Sequence, residues 1–150
     1  MSEAPTAAAV IERLGLAPHP EGGWYKETWH PRPADRSRGR ASAIHFLLEA
    51  GQRSHWHKVI DADEIWLWHS GAPLMLAMAE ADTGPITHTV LGPDIFADQS
   101  PQVRVPEGWW QAAEPLTDTN SNWTLVSCVV APAFEFSSFE LAAPGWEPAD

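Results

Sequence analysis

The chain is predicted to fold as an all-β sandwich or barrel of short strands with one helix at its N-terminal end. Three observations carry this. About ten short β-type runs recur at intervals of roughly eight to twelve residues, with Gly, Pro, Asn or Asp between them. Fourteen prolines disfavour long helices and suit strands joined by tight turns. Only one stretch has the pattern of a helix. At 150 residues the chain holds one domain with a real core and is short for two, so a single domain over 1–150 is expected.

The helix comes first. Thr6 can cap it, Ala7 to Leu14 propagate it, Val10, Ile11 and Leu14 give it an apolar stripe, and Gly15 ends it. "APHPEGGWYKETW" then breaks the chain with prolines and glycines before an extended segment at about Trp24–Trp29. "SAIHFLLEAG" supplies a strand at about Ser42–Leu48. "RSHWHKVIDADEIWLWHSG" supplies two more, His55–Val59 and Glu64–His69, around the turn "IDAD". Further runs follow at "PLMLAMAE", "ITHTVLG", "PQVRVPEGWWQAAE", "NWTLVSCVVAP" and "AFEFSSFEL". The core is expected over about 14–141, and the tail 142–150, "AAPGWEPAD", reads as a loosely held terminus.

Charge and composition narrow the function. Nine lysines and arginines against twenty aspartates and glutamates give a formal net charge of −11. So acidic a surface repels phosphate backbones and anionic membranes, so neither nucleic acid nor membrane is expected as a partner. The one basic concentration places Arg32, Arg36, Arg38 and Arg40 in "RPADRSRGR". It reads either as a solvated loop or as a gate for an anionic substrate. Cys128 stands alone in a strand-like "TLVSCVV" and reads as packing. No apolar run approaches the roughly 18 residues of a membrane span, and the start lacks a basic n-region, so a cytoplasmic location is expected.

The chemistry concentrates in the second of the long motifs. Residues two apart on a strand share a face, so His55 and His57 would point one way and Trp56 the other. A turn at Asp61–Asp63 returns a strand beginning at Glu64, which can sit opposite His57. Two imidazoles and a carboxylate on paired strands suit iron, manganese, nickel, zinc or copper. Alternation puts Trp66 on the face of Glu64, and either Trp109 or Trp110 inward. The same alternation puts His69 on the far side unless a bulge intervenes. His45 reads as a packed strand residue. His19, His30, His88 and Glu21 carry no assigned role, and Glu27 could reach a cavity mouth from its strand.

His55-x-His57, six residues, Glu64, six residues, Gly71 resembles the first metal motif of the cupin superfamily, with the glutamate displaced by two or three places. "PEGWWQ" is similar to the second, with Pro106 and Gly108 in place and Gln111 where histidine is usual. "HPEGGWYKETW", "SAIHFLL", "LGPD", "VPEGWWQAA" and "SCVVAPAFEFSSFEL" extend the resemblance from Leu14 to Leu141, to the uncharacterised cupin-5 group. The resemblance implies a double-stranded β-helix, the cupin jelly roll, usually as a homodimer. It also implies a pocket in the barrel mouth lined by His57, Glu64, Trp66 and Gln111. It implies a divalent metal (Fe, Mn, Ni or Zn) held by His55, His57, Glu64 and Gln111, but no particular reaction.

Three functions follow for a small-molecule substrate. The first is a metal-dependent isomerase, hydrolase or dioxygenase, in which His55, His57 and Glu64 hold the ion, Gln111 positions substrate or water, catalysis falls to His57, Glu64 and Gln111, and Trp66, Trp110, Arg53 and Glu27 meet the substrate. The second is a metal-free epimerase or isomerase with His57 as base and Glu64 orienting it. The third is a binding module without catalysis. A second histidine beside His57 leans toward metal. Tyr25, the only tyrosine, makes a His–Tyr acid/base pair harder to assemble.

Overall fold

The computed structural model describes residues 5–116 and 121–149. In chain order the elements are helix α1 (Ala7–Leu14), then β1 (Ala17–Pro18), β2 (Trp24–Trp29), β3 (Ser42–Glu49), β4 (Ser54–Val59), β5 (Asp63–Gly71), β6 (Leu74–Ala79) and β7 (Thr87–Leu91). After these come β8 (Gln99–Ser100), β9 (Gln102–Val105), β10 (Trp110–Pro115), β11 (Trp123–Ala131) and β12 (Phe139–Leu141), with 3₁₀ turns at Ile95–Ala97 and Phe136–Ser138. The strands form two six-stranded sheets, β1-β2-β3-β11-β5-β9 and β12-β4-β10-β6-β7-β8. Every pairing is antiparallel except β7 with β8. The two sheets face each other as a jelly roll, the all-β architecture expected. No helix among the described residues is long and apolar enough to cross a membrane.

The core between the sheets follows from alternation. On β11, Thr124, Val126, Cys128 and Val130 are buried while Leu125, Ser127 and Val129 are less so. Phe46, Leu48, Trp66, Leu74, Leu76 and Leu91 join Val126 and Cys128 in one apolar cluster, with Trp109 packed at its edge. The N-terminal helix covers the outside of the first sheet. Thr6 accepts the Ala9 N–H at 3.1 Å, and Gly15 ends the helix in the left-handed conformation at φ 67°. Its Val10, Ile11 and Leu14 pack on Leu47 and Trp123.

The outside of the second sheet is covered by the chain's last segment. Trp56, Ala77, Ala79, Trp110 and Ala112 form an apolar patch there, and Ala142 and Trp146 close over it. The Ala142 N–H donates to the Trp56 carbonyl at 2.9 Å, the Ala149 N–H donates to the Asp82 carbonyl at 3.0 Å, and the Trp146 ring lies 4.5 Å from that of Trp110. The segment expected to hang loosely is therefore docked through residue 149, because two large indoles and an alanine surface need a cover.

Three strands carry an extra residue, and one is β2, where Glu27 pairs with Ile44 and Trp29 with Ala43. Opposite β10, Gln111 pairs with His57 but Ala113 pairs with Ser54, so three steps on β4 span two on β10. Opposite β11, Leu125 pairs with Ser70 and Val126 with Trp68, which leaves His69 outside the ladder. Each is a β-bulge, and each re-aims the side chains around it.

Trp146→Ala should lower unfolding stability by about 1–3 kcal/mol in chemical denaturation, by uncovering Trp110. An unchanged midpoint would mean the tail contributes nothing to the cover.

Candidate functional site

A cavity opens between the sheets at one end, with His57, Glu21 and Glu64 in its interior and Tyr25, Phe134 and Phe139 among its walls. The bulge in β4 decides which residues reach it. Regular alternation would present His55 with His57; the extra residue presents Ser54 with His57 instead. His55 turns away, and its Nε2 lies 2.9 Å from the Ala143 carbonyl of the tail. This corrects the expected pairing of two imidazoles.

Glu21 takes the place that His55 leaves. The "HPEGG" turn presses its backbone onto the start of β4: the His55 N–H donates to the Glu21 carbonyl at 2.9 Å. Gly22, at φ 108°, is required there, because a Cβ would collide with the Arg53 carbonyl oxygen. The Glu21 side chain is buried. Its Oε1 accepts the Ser54 hydroxyl at 2.8 Å and its Oε2 lies 3.2 Å from His57 Nε2.

Hydrogen-bond partners fix the state of His57. Its Nδ1 lies 2.8 Å from the His55 carbonyl, which can only accept, so Nδ1 carries the proton. Nε2 is then the basic nitrogen, facing Glu21. A neutral imidazole there needs a protonated Glu21, and an ionised Glu21 needs an imidazolium, so the contact shares one proton. Burial pushes the Glu21 carboxyl up to about 7, with His19 and Ser54 opposing. Burial also lowers the His57 pKa, against the pull of Glu64. His19 supports the turn: its Nδ1 accepts the Glu21 N–H at 3.0 Å, and its ring packs on Tyr25 and Phe46.

Glu64 lines the same cavity and is held from behind. Gln111 Nε2 donates to Glu64 Oε1 at 2.9 Å, and Trp66 Nε1 donates to Gln111 Oε1 at 2.7 Å. The indole N–H can only donate, so the amide oxygen is the atom facing it. Burial raises the Glu64 carboxyl to about 7; His57 lowers it and Glu21 raises it further. The Cys128 thiol, also in the wall, hydrogen-bonds Glu64, and burial holds its own pKa well above the usual value.

These contacts test the expected metal shell on its own donors, and the donors do not fit it. His55 is outside the cavity. The Gln111 oxygen, the atom that would ligate, is turned toward Trp66, and the amide nitrogen, which cannot ligate, faces Glu64. Only His57 and Glu64 of the expected four share the site, and among the described residues no three His, Cys, Asp or Glu side chains are grouped to hold an ion.

The expected substrate contacts are likewise redistributed. Trp66 is fully buried in the core, behind Gln111. Trp110 faces out, with its Nε1 donating to Asp82 at 2.8 Å, while its neighbour Trp109 packs on the core. Arg53 sits over the outer Trp56 ring at 5.9 Å, away from the cavity. Glu27 does stand at the rim, bonded to His30 at 2.7 Å and to Arg32 at 3.0 Å. Beyond it a groove runs under the arginine loop, where Arg38 is tied to Asp61 at 2.9 Å and to the Ala133 carbonyl at 2.7 Å. His69, despite its bulge, stays outside, 2.6 Å from Ser127 Oγ.

A profile of the Cupin_5 family, described as Cupin superfamily (DUF985), matches residues 8–142. Among solved structures, a protein from Shewanella oneidensis is 36% identical with a TM-score of 0.84, over 93% of this chain and 86% of that one. A hypothetical protein from Leishmania major is 28% identical with a TM-score of 0.83, over 95% and 90%. The capsular polysaccharide assembling protein CapF from Staphylococcus aureus shares the fold alone, at 16% identity and a TM-score of 0.63, over 84% of this chain and 33% of that one. No curated protein matches the chain.

Two outcomes check the site. A carboxyl whose pKa is higher folded than unfolded binds more protons when folded, so its stability contribution is lost as pH rises from 4.5 toward 7. Glu21→Gln and Glu64→Gln should each flatten that decline in denaturation midpoints; a decline identical to wild type in both would remove these groups from the cavity. Gln111→Leu, which strips Trp66 and Glu64 of a partner at once, should cost about 2–5 kcal/mol in chemical denaturation. A loss well below that range would show the chain of contacts to be slack.

Proposed function

We propose, on the premise that the chain belongs to the Cupin_5 family of the cupin superfamily, that it is a metal-independent proton-transfer enzyme of isomerase or epimerase type. Its substrate is a small organic molecule bound in the cavity between the sheets. The observation that carries this reading is the 3.2 Å contact of His57 Nε2 with a buried Glu21, with Nδ1 committed to a backbone carbonyl. One nitrogen is thereby left to gain and lose a proton, in a place where few other groups can intervene.

The roles follow from the contacts. When the shared proton leaves the His57–Glu21 pair, Nε2 is a base that faces the cavity. It accepts a proton from a carbon next to a carbonyl, and the resulting imidazolium is held by the ionised Glu21. Glu64, on the other side of His57 in charge terms and raised to about 7, returns a proton to the oxygen or carbon left electron-rich. Ser54 and Gln111 hold the two carboxyls in position. The phenyl walls keep water away from the carbanion, which is the environment such chemistry needs. Among the catalytic functions open from the sequence, this is the one without a metal; the metal-dependent reading needs His55 at the ion, and His55 is turned to the tail carbonyl of Ala143. The partner is a small molecule, and a homodimer is the assembly that we carry with this reading.

The test is wash-in of solvent deuterium by mass spectrometry. Chelator-treated protein is incubated in D₂O with keto sugars, uronic acids and 2-hydroxy acids. Wild type should label a carbon adjacent to a carbonyl, and His57→Ala should reduce the rate by about 10²–10⁴-fold. Labelling that requires added divalent metal, or survives in His57→Ala, would overturn the reading. A compound that binds the cavity without labelling would leave the chain a binding module.

A further inference from the structure

A second cavity lies on the opposite side of the β4–β10–β6 sheet, between that sheet and the docked tail. Its floor is apolar: Trp56, Ala77, Ala112 and Ala113 are buried, and Met75 and Ile86 are half-buried beside them. Its rim carries Arg53, His88, Glu114 and Glu147, all exposed. None of the three formally charged rim residues forms an ion pair among the described residues.

One atom in the floor is, with Arg38 Nη2, one of two buried side-chain polar atoms without a hydrogen-bond partner among the described residues. Trp56 is 1% exposed, and its Nε1 is buried with no hydrogen-bond acceptor. The other deeply placed indoles each have one: Trp66 donates to Gln111, Trp110 to Asp82, Trp123 to the Pro5 carbonyl, Trp68 to the Ala72 carbonyl and Trp24 to Glu49. A buried donor without an acceptor is costly and uncommon, so it calls for a partner that the chain itself does not supply. Trp56 forms part of the cavity's surface, and the Arg53 guanidinium lies 5.9 Å from its ring.

We propose that this cavity is a binding site for a free α-amino acid with an apolar side chain. The carboxylate accepts from Trp56 Nε1 and is neutralised by Arg53. The ammonium group meets Glu114 and Glu147 across the rim. The side chain lies on the Ala77–Ala112 floor between Met75 and Ile86. A lone anion would face two glutamates and a lone cation would face Arg53, so a short zwitterion with an aliphatic body is the charge pattern that the rim accepts. The site shares no residue with the His57 cavity, and it stands whether or not that cavity performs proton transfer.

The indole N–H resonances of ¹⁵N-labelled full-length protein give a direct reading. The chain has nine tryptophans, and the signal of Trp56 is the one missing from Trp56→Phe, which keeps most of the packing and removes only the donor. Titration with L-leucine, L-valine or L-methionine should move that signal downfield and saturate in the millimolar range or below. The deaminated acid and the decarboxylated amine of leucine should bind at least about tenfold more weakly. Arg53→Ala, a change at an exposed position, should weaken leucine by a similar factor, and it keeps the test intact if Trp56→Phe fails to fold. His57→Ala should leave the titration unchanged. The proposal falls if none of the three amino acids moves the Trp56 signal, which would give the acceptor's place to water. It also falls if the single-charge fragments bind as well as leucine, or if Arg53→Ala has no effect.

Discussion

The extra residue that β4 carries between Ser54 and His57 is the constraint from which the interior of this protein follows. Without it, His55 and His57 would share a face and two imidazoles would meet Glu64. With it, a hydroxyl and an imidazole three positions apart both meet Glu21. The hydroxyl is the right length to hold Glu21, and Glu21 then occupies the space against Nε2. The same rotation frees the His55 carbonyl to receive the Nδ1 proton, so one local irregularity sets the tautomer of His57, supplies its carboxylate partner and sends the second histidine to the tail.

Two buried carboxyls around one buried imidazole are expensive to keep in any single charge state, and the surroundings lower that cost without removing it. Glu64 is anchored through Gln111 to an indole in the core, and Glu21 through Ser54 to the strand. Neither has a cation at hand other than a histidine. Burial pushes both carboxyls up to about 7 and the imidazole down, so the proton preferences of the three groups are drawn together, a pattern common at functional sites. A fully apolar filling would be more stable, and stability given up at a cavity is commonly a mark of use.

The tryptophans divide by the faces they serve. Trp66 and Trp109 belong to the space between the sheets, Trp24 and Trp123 lie under the N-terminal helix, and Trp56, Trp110 and Trp146 build a separate layer outside the second sheet. Each end of the chain thus covers one outer sheet surface. That arrangement lets a 150-residue protein with only two sheets bury this many indoles, and it creates the second cavity where the tail's cover stops short of Ala113 and Met75.

The helix and its caps, and the two-sheet architecture were legible in the sequence, because they depend on local signals: Thr6 and Gly15 as caps, period-two burial along "TLVSCVV", and turn residues between short runs; the two-residue strands β1 and β8, and the break between β9 and β10, were not. Glu64 and His57 were legible as site residues, since both sit on strands that enter the barrel. What escaped was register. A β-bulge has no periodic signature, and a slip of one position exchanges the two faces of a strand, so His55 and Ser54 changed places. Glu21 escaped because a loop residue acquires its role from what it is folded against, and only the collision barred by Gly22 hints that the loop lies flat on β4. Gln111 was noticed as a substitution for histidine, yet whether its oxygen pointed to an ion or to Trp66 depended on a contact 45 positions away in the chain. The sequence by itself determined that a jelly roll would bring His57 and Glu64 inside. The tertiary structure alone decided their partners, because those partners arrive through register and long-range packing, which no local pattern encodes.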